Sequence, residues 1–308
     1  SGVAGDELGA AHIKMNEDGS FILQVGGVDT GTGTDTMVSQ IAAETLGCEP
    51  GDIVVHASDT DIAPFDYGAY ASSTTYITGQ SVKKAAEDAK EMLFKWGSKM
   101  LEEPPDRLAA EGGEVTSEVT GESVTLEEIG YGSIYGGDER EQVMGEASFS
   151  TDESPPPFGA QFVDVTVDEE TGEFDINEMV FAADLGVAIN PPLAEGQIEG
   201  GEHMSLELAT SGGYEFEVDG TPKTLSFERY GMPRATDHPS METILVETHE
   251  PSGPFGAKSI AELPTNGVAP SLGNAIRDAV GVRIHELPIT AEKIRTKLEK
   301  ETDDEKES

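Results

Sequence analysis

The sequence predicts an α+β protein of mixed sheets with packed helices, and three observations carry that prediction. From Gln161 to Gly186 apolar and polar residues alternate, as at Val163, Val165 and Val167, on either side of a turn at Glu169–Gly172, the pattern of a β-hairpin. Val82, Ala86, Ala89, Leu93, Trp96 and Met100 recur at alternating steps of four and three, the stripe of an amphipathic helix. Strand and helix signals then follow one another without the regular βαβ alternation of a parallel sheet.

Taken in order, Asp18–Val28 reads as a turn and then a strand. A helix is predicted over Thr34–Leu46, with Met37, Ile41 and Ala42 on one face and Gly47 as its stop. Ile53–His56 is a short strand. The helix that carries the stripe ends at Pro104 and Pro105, and its opposite face of Glu, Asp and Lys is solvated. Residues 107–147 read as helix, turn and loop. The run SFSTDESPPPF at 148–158 breaks the pattern and marks a seam, so two lobes are expected, 1–150 and 151–308. After the first hairpin come a helix over 194–209, a second hairpin from Tyr214 to Leu225 around Asp219-Gly220, and a strand from Met241 to Glu247. Pro270 suits the first turn of a helix holding Leu272, Ile276 and Val280. Thr290 caps a last helix through Leu298, and the polar tail from Glu299 is expected to fray.

Composition narrows the function. The chain of 308 residues carries 60 acidic against 19 basic residues, a net charge of -41. The acids are dispersed, as at Glu44, Glu87, Glu111, Glu169 and Glu242, and form no long block. Such a surface repels itself unless salt screens it, which points to a halophilic cytoplasm. Nucleic acid is not an expected partner, because phosphates need basic patches. Cys48 is the one cysteine, which excludes an intrachain disulfide, a multi-cysteine zinc site and an iron–sulfur cluster held by this chain alone. No apolar run reaches the roughly 18 residues of a membrane span, and no membrane contact is expected.

Three glycine-rich stretches stand out, GGVDTGTGTDT at 26–36, GAYASSTTYITGQ at 68–80 and GQIEGG at 196–201. Each is read as preceding or opening a helix, where exposed backbone N–H groups bind anionic or polar groups. Taken singly, each also reads as a structural turn. Ser72, Ser73, Thr74 and Thr75 add four hydroxyls in a row. The first stretch is no dinucleotide fingerprint, since Thr36 stands where its last glycine belongs. A fourth stretch, GPFGAKSIAELPTNGVAPSLGNAI at 253–276, sets Glu262 among Ile260, Ala261 and Leu263 and before Pro264. A carboxylate buried there suits a general base, whereas an exposed one is a loop glutamate like many others in this chain. Ser81–Lys84 matches S-x-x-K, but residues 223–225 read Lys-Thr-Leu, so its companion motif is missing. No pair among the six histidines has metal-ligand spacing.

Together these stretches resemble the molybdenum-binding subunit of the xanthine dehydrogenase, aldehyde oxidase and aerobic carbon monoxide dehydrogenase family, in its carboxy-terminal part. The first is similar to that family's V-D-x-G-Q-G-T-D-T segment and the second to G-A-Y-A-S-R-T-T-Y-x-T-G. FGAQFVDVTVDEETGEF at 158–174, ADLGVAINPPLAEGQIEGG at 183–201, FERYGMPRATD and GAKSIAELP match later segments in order. The resemblance implies a molybdenum-cofactor-binding fold of the xanthine dehydrogenase type. It implies a metal held by the dithiolene of molybdopterin, in its plain or cytosine dinucleotide form, with no side-chain ligand. By position, Gly31, Thr32, Gly33, Thr34, Tyr70, Ala71, Ser72, Ser73, Thr74, Gln197 and Lys258 would bind this cofactor. Glu262 would be the base as an oxygen derived from water attacks an electrophilic carbon of an aldehyde or N-heteroaromatic substrate. Iron–sulfur clusters and FAD would reside on partner chains, and a further partner would supply the amino-terminal half of the molybdenum subunit.

Some positions depart from the family pattern. Its glutamine in G-Q-G is Thr32 here and its arginine in A-S-R-T is Ser73. G-E-P-P becomes Ala261-Glu262-Leu263-Pro264, which keeps the carboxylate. Glu202 and Glu207 replace apolar or glycine residues. These changes leave room for an alternative, a non-catalytic fragment retained for assembly. The charge pattern makes a prediction of its own: the midpoint of thermal unfolding should rise steeply from dilute buffer to molar KCl. Full stability at low ionic strength would contradict the halophilic reading.

Overall fold

The computed structural model describes residues 7–137 and 139–307. Two compact units divide the chain. The first runs to Pro156 and adds Gly186–Leu193 and Glu247–Ser259; the second holds Pro157–Leu185, Ala194–Val246 and the chain from Ile260. A single cut near residue 150 therefore does not describe the division. Two later segments return to the first unit, and Lys258 and Glu262 fall in different units.

The first unit is built on a four-stranded sheet of β1 (Gly9–Met15), β2 (Phe21–Val25), β3 (Ile53–Ala57) and β7 (Met144–Phe149), in the order β3-β2-β1-β7. β2 and β3 are parallel, while β1 runs antiparallel to both β2 and β7. Along β1 and β2 every second side chain is buried, Ala11, Ile13 and Met15 and then Phe21, Leu23 and Val25, so one face makes the core. Helix α1 (Thr34–Leu46) has the predicted bounds, and Gly47 closes it in the left-handed conformation at φ 77°. Its Met37, Ile41 and Ala42 are buried.

Helix α2 (Thr74–Leu101) buries the predicted stripe from Val82 to Trp96. Met100 departs from it and is 43% exposed, because the last turn runs past the core. The start of α2 is small, with Gly79, Ala85, Ala86 and Ala89 all buried. β7 uses this: a methyl group placed on Gly145 would lie 2.2 Å from the Ala85 carbonyl oxygen and 2.4 Å from the Ala89 nitrogen. Strand backbone thus rests directly on helix backbone. The stretch read as helix, turn and loop also contains a three-stranded antiparallel sheet, β4 (Leu108–Glu111), β5 (Glu114–Ser117) and β6 (Ser123–Thr125). Strands of three or four residues are too short to show a period of two. α3 (Leu126–Tyr135) follows, its start closed by a capping box between Thr125 and Glu128.

In the second unit β8 (Phe158–Val167) and β9 (Phe174–Gly186) form the predicted antiparallel hairpin, with a register shift at Asp164/Val165. β10 (Ser240–Glu247) joins on the other side of β9. Against this sheet lie α4 (Pro191–Thr210), α6 (Val268–Val280) and α7 (Ala291–Glu307), which contribute Ala209, Leu272, Ile276 and Ile294 to a core with Val163, Val165, Val167, Phe174 and Ile176. Two expectations change here. The second hairpin reduces to one bridge, Phe216↔Pro222, around the Asp219-Gly220 turn. A short helix α5 (Phe227–Tyr230) follows it. The tail expected to fray at Glu299 is helical to Glu307, since α7 is not interrupted by glycine or proline.

Leu93 sits in the centre of α2 with no exposed surface, packed in the core of the first unit. Leu93→Ala should cost about 2–5 kcal/mol of unfolding free energy. Urea denaturation in molar salt measures it, and a cost below about 1 kcal/mol would show that α2 does not pack as described.

Candidate functional site

The first glycine-rich segment lies between β2 and α1. Asp29 dominates it: the backbone N–H groups of Gly31 and Gly33 donate to its Oδ1 at 2.9 and 3.2 Å, and that of Asp35 donates to its Oδ2 at 3.4 Å. An Asp-x-Gly sequence is the signal for such a turn. Burial tends to raise the Asp29 pKa, but the backbone donors of Gly31, Gly33, Asp35 and Thr32 outweigh it and hold the carboxyl below its usual value. This corrects one expectation. The loop's amides are filled by the protein's own carboxylate, so the segment offers hydroxyls instead of an open anion cradle. The Thr32 and Thr34 hydroxyls lie 2.8 Å apart, and a methyl group on Gly31 would meet nothing within 4 Å. Gly33, in the left-handed conformation at φ 76°, abuts Leu193: a methyl group there would come within 2.5 Å of Leu193 Cδ1.

The second segment is held beside the first. Thr78 Oγ1 donates to Asp66 Oδ2 at 2.7 Å, and a methyl group on Gly26 would meet the Pro64 carbonyl oxygen at 2.4 Å. Tyr70, Ala71 and Ser72 form a 3-10 turn in which Ala71 (φ 51°) and Ser72 (φ 57°) are left-handed. Non-glycine residues there carry strain, of the sort that collects where a loop is shaped for a ligand. Ser73 is buried, yet its side chain does not cap α2, so the amides of Thr74 and the next residues open the helix without a side-chain acceptor from Ser73. Tyr70 is exposed. Residues 252–258 close the same unit: Tyr76 Oη donates to Ser252 Oγ at 2.8 Å and Pro254 packs on Gly79. Lys258 is buried, with Nζ donating to the Pro156 carbonyl at 3.3 Å. A buried ammonium and an open helix start suit the polar and phosphate-bearing parts of a pterin cofactor.

In the second unit GQIEGG does not open a helix. α4 begins at Pro191, so Gln197 lies in its second turn and offers a side chain where a row of free amides was expected. The turn carrying Glu262 is anchored from below. Pro264 is buried against Gly201, and Ser205 Oγ donates to the Thr265 carbonyl at 2.8 Å. The Glu262 carbonyl accepts from Thr265 Oγ1 at 2.8 Å and Asn266 Nδ2 at 3.3 Å. The Glu262 side chain is exposed on this chain, so the burial that would suit a base is not provided by the unit that carries it. Asp29, Asp66, Gln161 and Glu202 were not singled out as site residues. Asp29 and Asp66 each carry a local signal, an aspartate two residues before a glycine whose N–H it accepts, whereas Gln161 and Glu202 are far apart in sequence. His203 and His238 stack with ring centroids 4.4 Å apart, but no cluster of metal-ligating side chains occurs among the described residues.

Residues 2–239 match the family model described as the molybdopterin cofactor-binding domain. The chain is 38% identical over 312 residues to the probable hypoxanthine oxidase XdhD of Escherichia coli strain K12, covering 97% of this chain and 31% of that protein. It is 34% identical to the putative xanthine dehydrogenase molybdenum-binding subunit XdhA of the same strain, covering 94% of this chain and 39% of that protein. Quinoline 2-oxidoreductase from Pseudomonas putida 86 has the same fold, with a TM-score of 0.88, 23% identity, and coverage of 95% of this chain and 38% of that one. The chain thus spans between 31% and 39% of the length of these two curated relatives.

Asp29 makes a testable prediction. Its folded pKa is depressed, so its contribution is present above the unfolded value of about 3.9 and is lost as pH falls through the folded value. Asp29→Ala should cost about 1 kcal/mol at neutral pH, and the gap should close in acid. A gap that does not depend on pH would contradict the assignment.

Proposed function

Because the chain belongs to the molybdopterin cofactor-binding domain family, in the xanthine dehydrogenase type, we propose that it forms part of a molybdenum hydroxylase acting on an aldehyde or N-heteroaromatic carbon, with Glu262 as base. The observation that carries this reading is the turn of Glu262. Its backbone carbonyl is held by Thr265 and Asn266 and the turn is seated by Pro264, while the residue itself is exposed, which is how a reacting side chain is held on a rigid support. Gly31–Thr34, Tyr70–Thr74, Lys258 and Gln197 are the residues this reading assigns to cofactor binding, Gln197 through its side chain. When bound, the molybdenum–pterin group supplies the oxygen and accepts two electrons from the substrate. Thr32 and Thr34 contribute hydroxyl contacts, the start of α2 contributes backbone donors, and Glu262 takes the proton released as the substrate carbon is attacked.

The relatives are longer than this chain, and one is named as a subunit. The reading therefore places this chain in a complex, with the rest of the molybdenum subunit, an iron–sulfur subunit and an FAD subunit as partners, in the cytoplasm. The cofactor is read as plain molybdopterin or its cytosine dinucleotide. No described helix is long and apolar enough to cross a membrane. A second reading is favoured by one observation: the first loop's amides are filled by Asp29 and its family glutamine is Thr32. It takes the chain as a non-catalytic assembly subunit.

In the isolated native complex, molybdenum and pterin should be present in stoichiometric amount. Glu262→Gln should lower kcat by about 10²–10⁴-fold with metal and pterin content unchanged. A complex lacking both molybdenum and pterin supports the assembly reading, and unchanged kcat in the variant removes Glu262 from the chemistry.

A further inference from the structure

We propose that Glu202, held as a neutral acid in a buried pair with Gln161, is the positioning residue of the turn that carries Glu262. Its functional meaning rests on the role proposed for Glu262, whereas its physical content does not.

The turn is pinned entirely inside the second unit. Residues 261–267 touch α4 and β8 at four places, one of them Leu263 Cδ2 at 3.1 Å from where a methyl group on Gly159 of β8 would be. Gly201 of α4 lacks a side chain, which lets Pro264 Cβ and the Ala261 carbonyl oxygen approach to 3.0 and 3.4 Å of where its methyl would be. One helical turn on, Ser205 holds the Thr265 carbonyl. On the other side Gln161 of β8 lies under Gly267, whose missing methyl would meet Gln161 Cβ and Oε1 at 2.9 Å. Glu202 joins the two supports: its Oε1 lies 2.5 Å from Gln161 Nε2 and the residue has no exposed surface. The tie between α4 and β8 is therefore made by one carboxyl and one amide, directly beneath the turn.

The protonation state follows from the surroundings. Glu202 Oε2 and Gln161 Oε1 are both buried without a hydrogen-bond partner. No ion pair of Glu202 is formed among the described residues, and an ionised carboxylate buried with a single donor would cost several kcal/mol. A proton on Glu202 removes that cost. With the amide turned so that its carbonyl faces the acid, the contact becomes an O–H···O bond, whose range reaches down to about 2.5 Å, where an N–H···O bond is longer. The charged group facing Glu202 is Glu199, one turn earlier on α4, and it is also negative. His203 is the next titratable residue on the helix; β8 contributes the neutral Gln161, and the turn contributes Glu262, whose side chain is exposed. Burial foremost, and Glu199 with it, raises the Glu202 pKa against the lowering by Gln161.

The sign of the pH dependence is fixed by this. A carboxyl whose folded pKa is raised contributes stability that is full below its unfolded value and is lost as pH rises through the folded value. Glu202→Gln keeps the shape and cannot titrate. In molar KCl, the stability of the native chain relative to Glu202→Gln should fall as pH rises from the ordinary carboxylate range. Infrared spectra at neutral pH should show a protonated carboxyl band that Glu202→Gln abolishes. Hydrogen exchange should quicken more than tenfold in residues 261–267 in Glu202→Leu and stay native in Glu202→Gln. In the assembled enzyme Glu202→Leu should lower kcat with KM unchanged, and Glu202→Gln should restore it. Parallel pH–stability curves, or no band that the Gln variant removes, would overturn the proposal; if the Leu variant does not fold, these two measurements decide it. Native exchange across 261–267 in a folded Leu variant would also overturn it. An active Glu262→Gln enzyme would instead sink the catalytic reading and leave the buried pair standing.

Discussion

The contact between β7 and α2 is the constraint on which the first unit depends. Side chains on both surfaces would keep a strand and a helix about a side chain apart, but Gly145 meets the backbone of Ala85 and Ala89 with nothing between. That approach fixes α2 along its length against the β1–β7 edge of the sheet, and so fixes the start of the helix. The strained turn at Ala71 and Ser72 and the uncapped amides that follow it stand at that end. Thr78, one turn further on, ties in Asp66 and packs on Gly27, so the two hydroxyl-rich segments share one support. The geometry of the loops proposed to hold the cofactor is thus a consequence of a packing choice made at glycine and alanine.

The same device recurs in the second unit. Gly201 lets Pro264 seat on α4, and Gly267 lets its turn settle over Gln161. A bulkier residue at either position would lift the turn and redirect Glu262. Small residues therefore hold the proposed base in place as surely as hydrogen bonds do, since dense packing transmits a displacement of one backbone segment to the next.

Electrostatics separates the carboxylates by what surrounds them. Most of the acids face solvent, where mutual repulsion falls with salt. Asp29 is different, because backbone donors converge on it and stabilise its charge. Glu202 is the opposite case, buried against an amide and beside another acid. Carboxyl groups thus serve as solvating surface, as an anion that orders a loop and, in the proposal for Glu202, as a neutral acid. The surroundings of each carboxyl determine which role it takes.

The sequence by itself determined the strongly periodic elements. The bounds of α1, the stripe of α2 as far as Trp96 and the β8–β9 hairpin all follow from local patterns in which each residue reports its own exposure. The motif order was also legible, and with it the family. The tertiary structure alone decided the strands of 108–125, where three or four residues carry too little pattern, and the start of α4 at Pro191 instead of residue 194, which sets Gln197 in its second turn. It alone paired Gln161 with Glu202 and left the Glu262 side chain exposed. The reason is physical. Periodicity and turn chemistry are properties of neighbours in the chain, whereas burial, pairing and charge state depend on which distant segments the fold brings into contact.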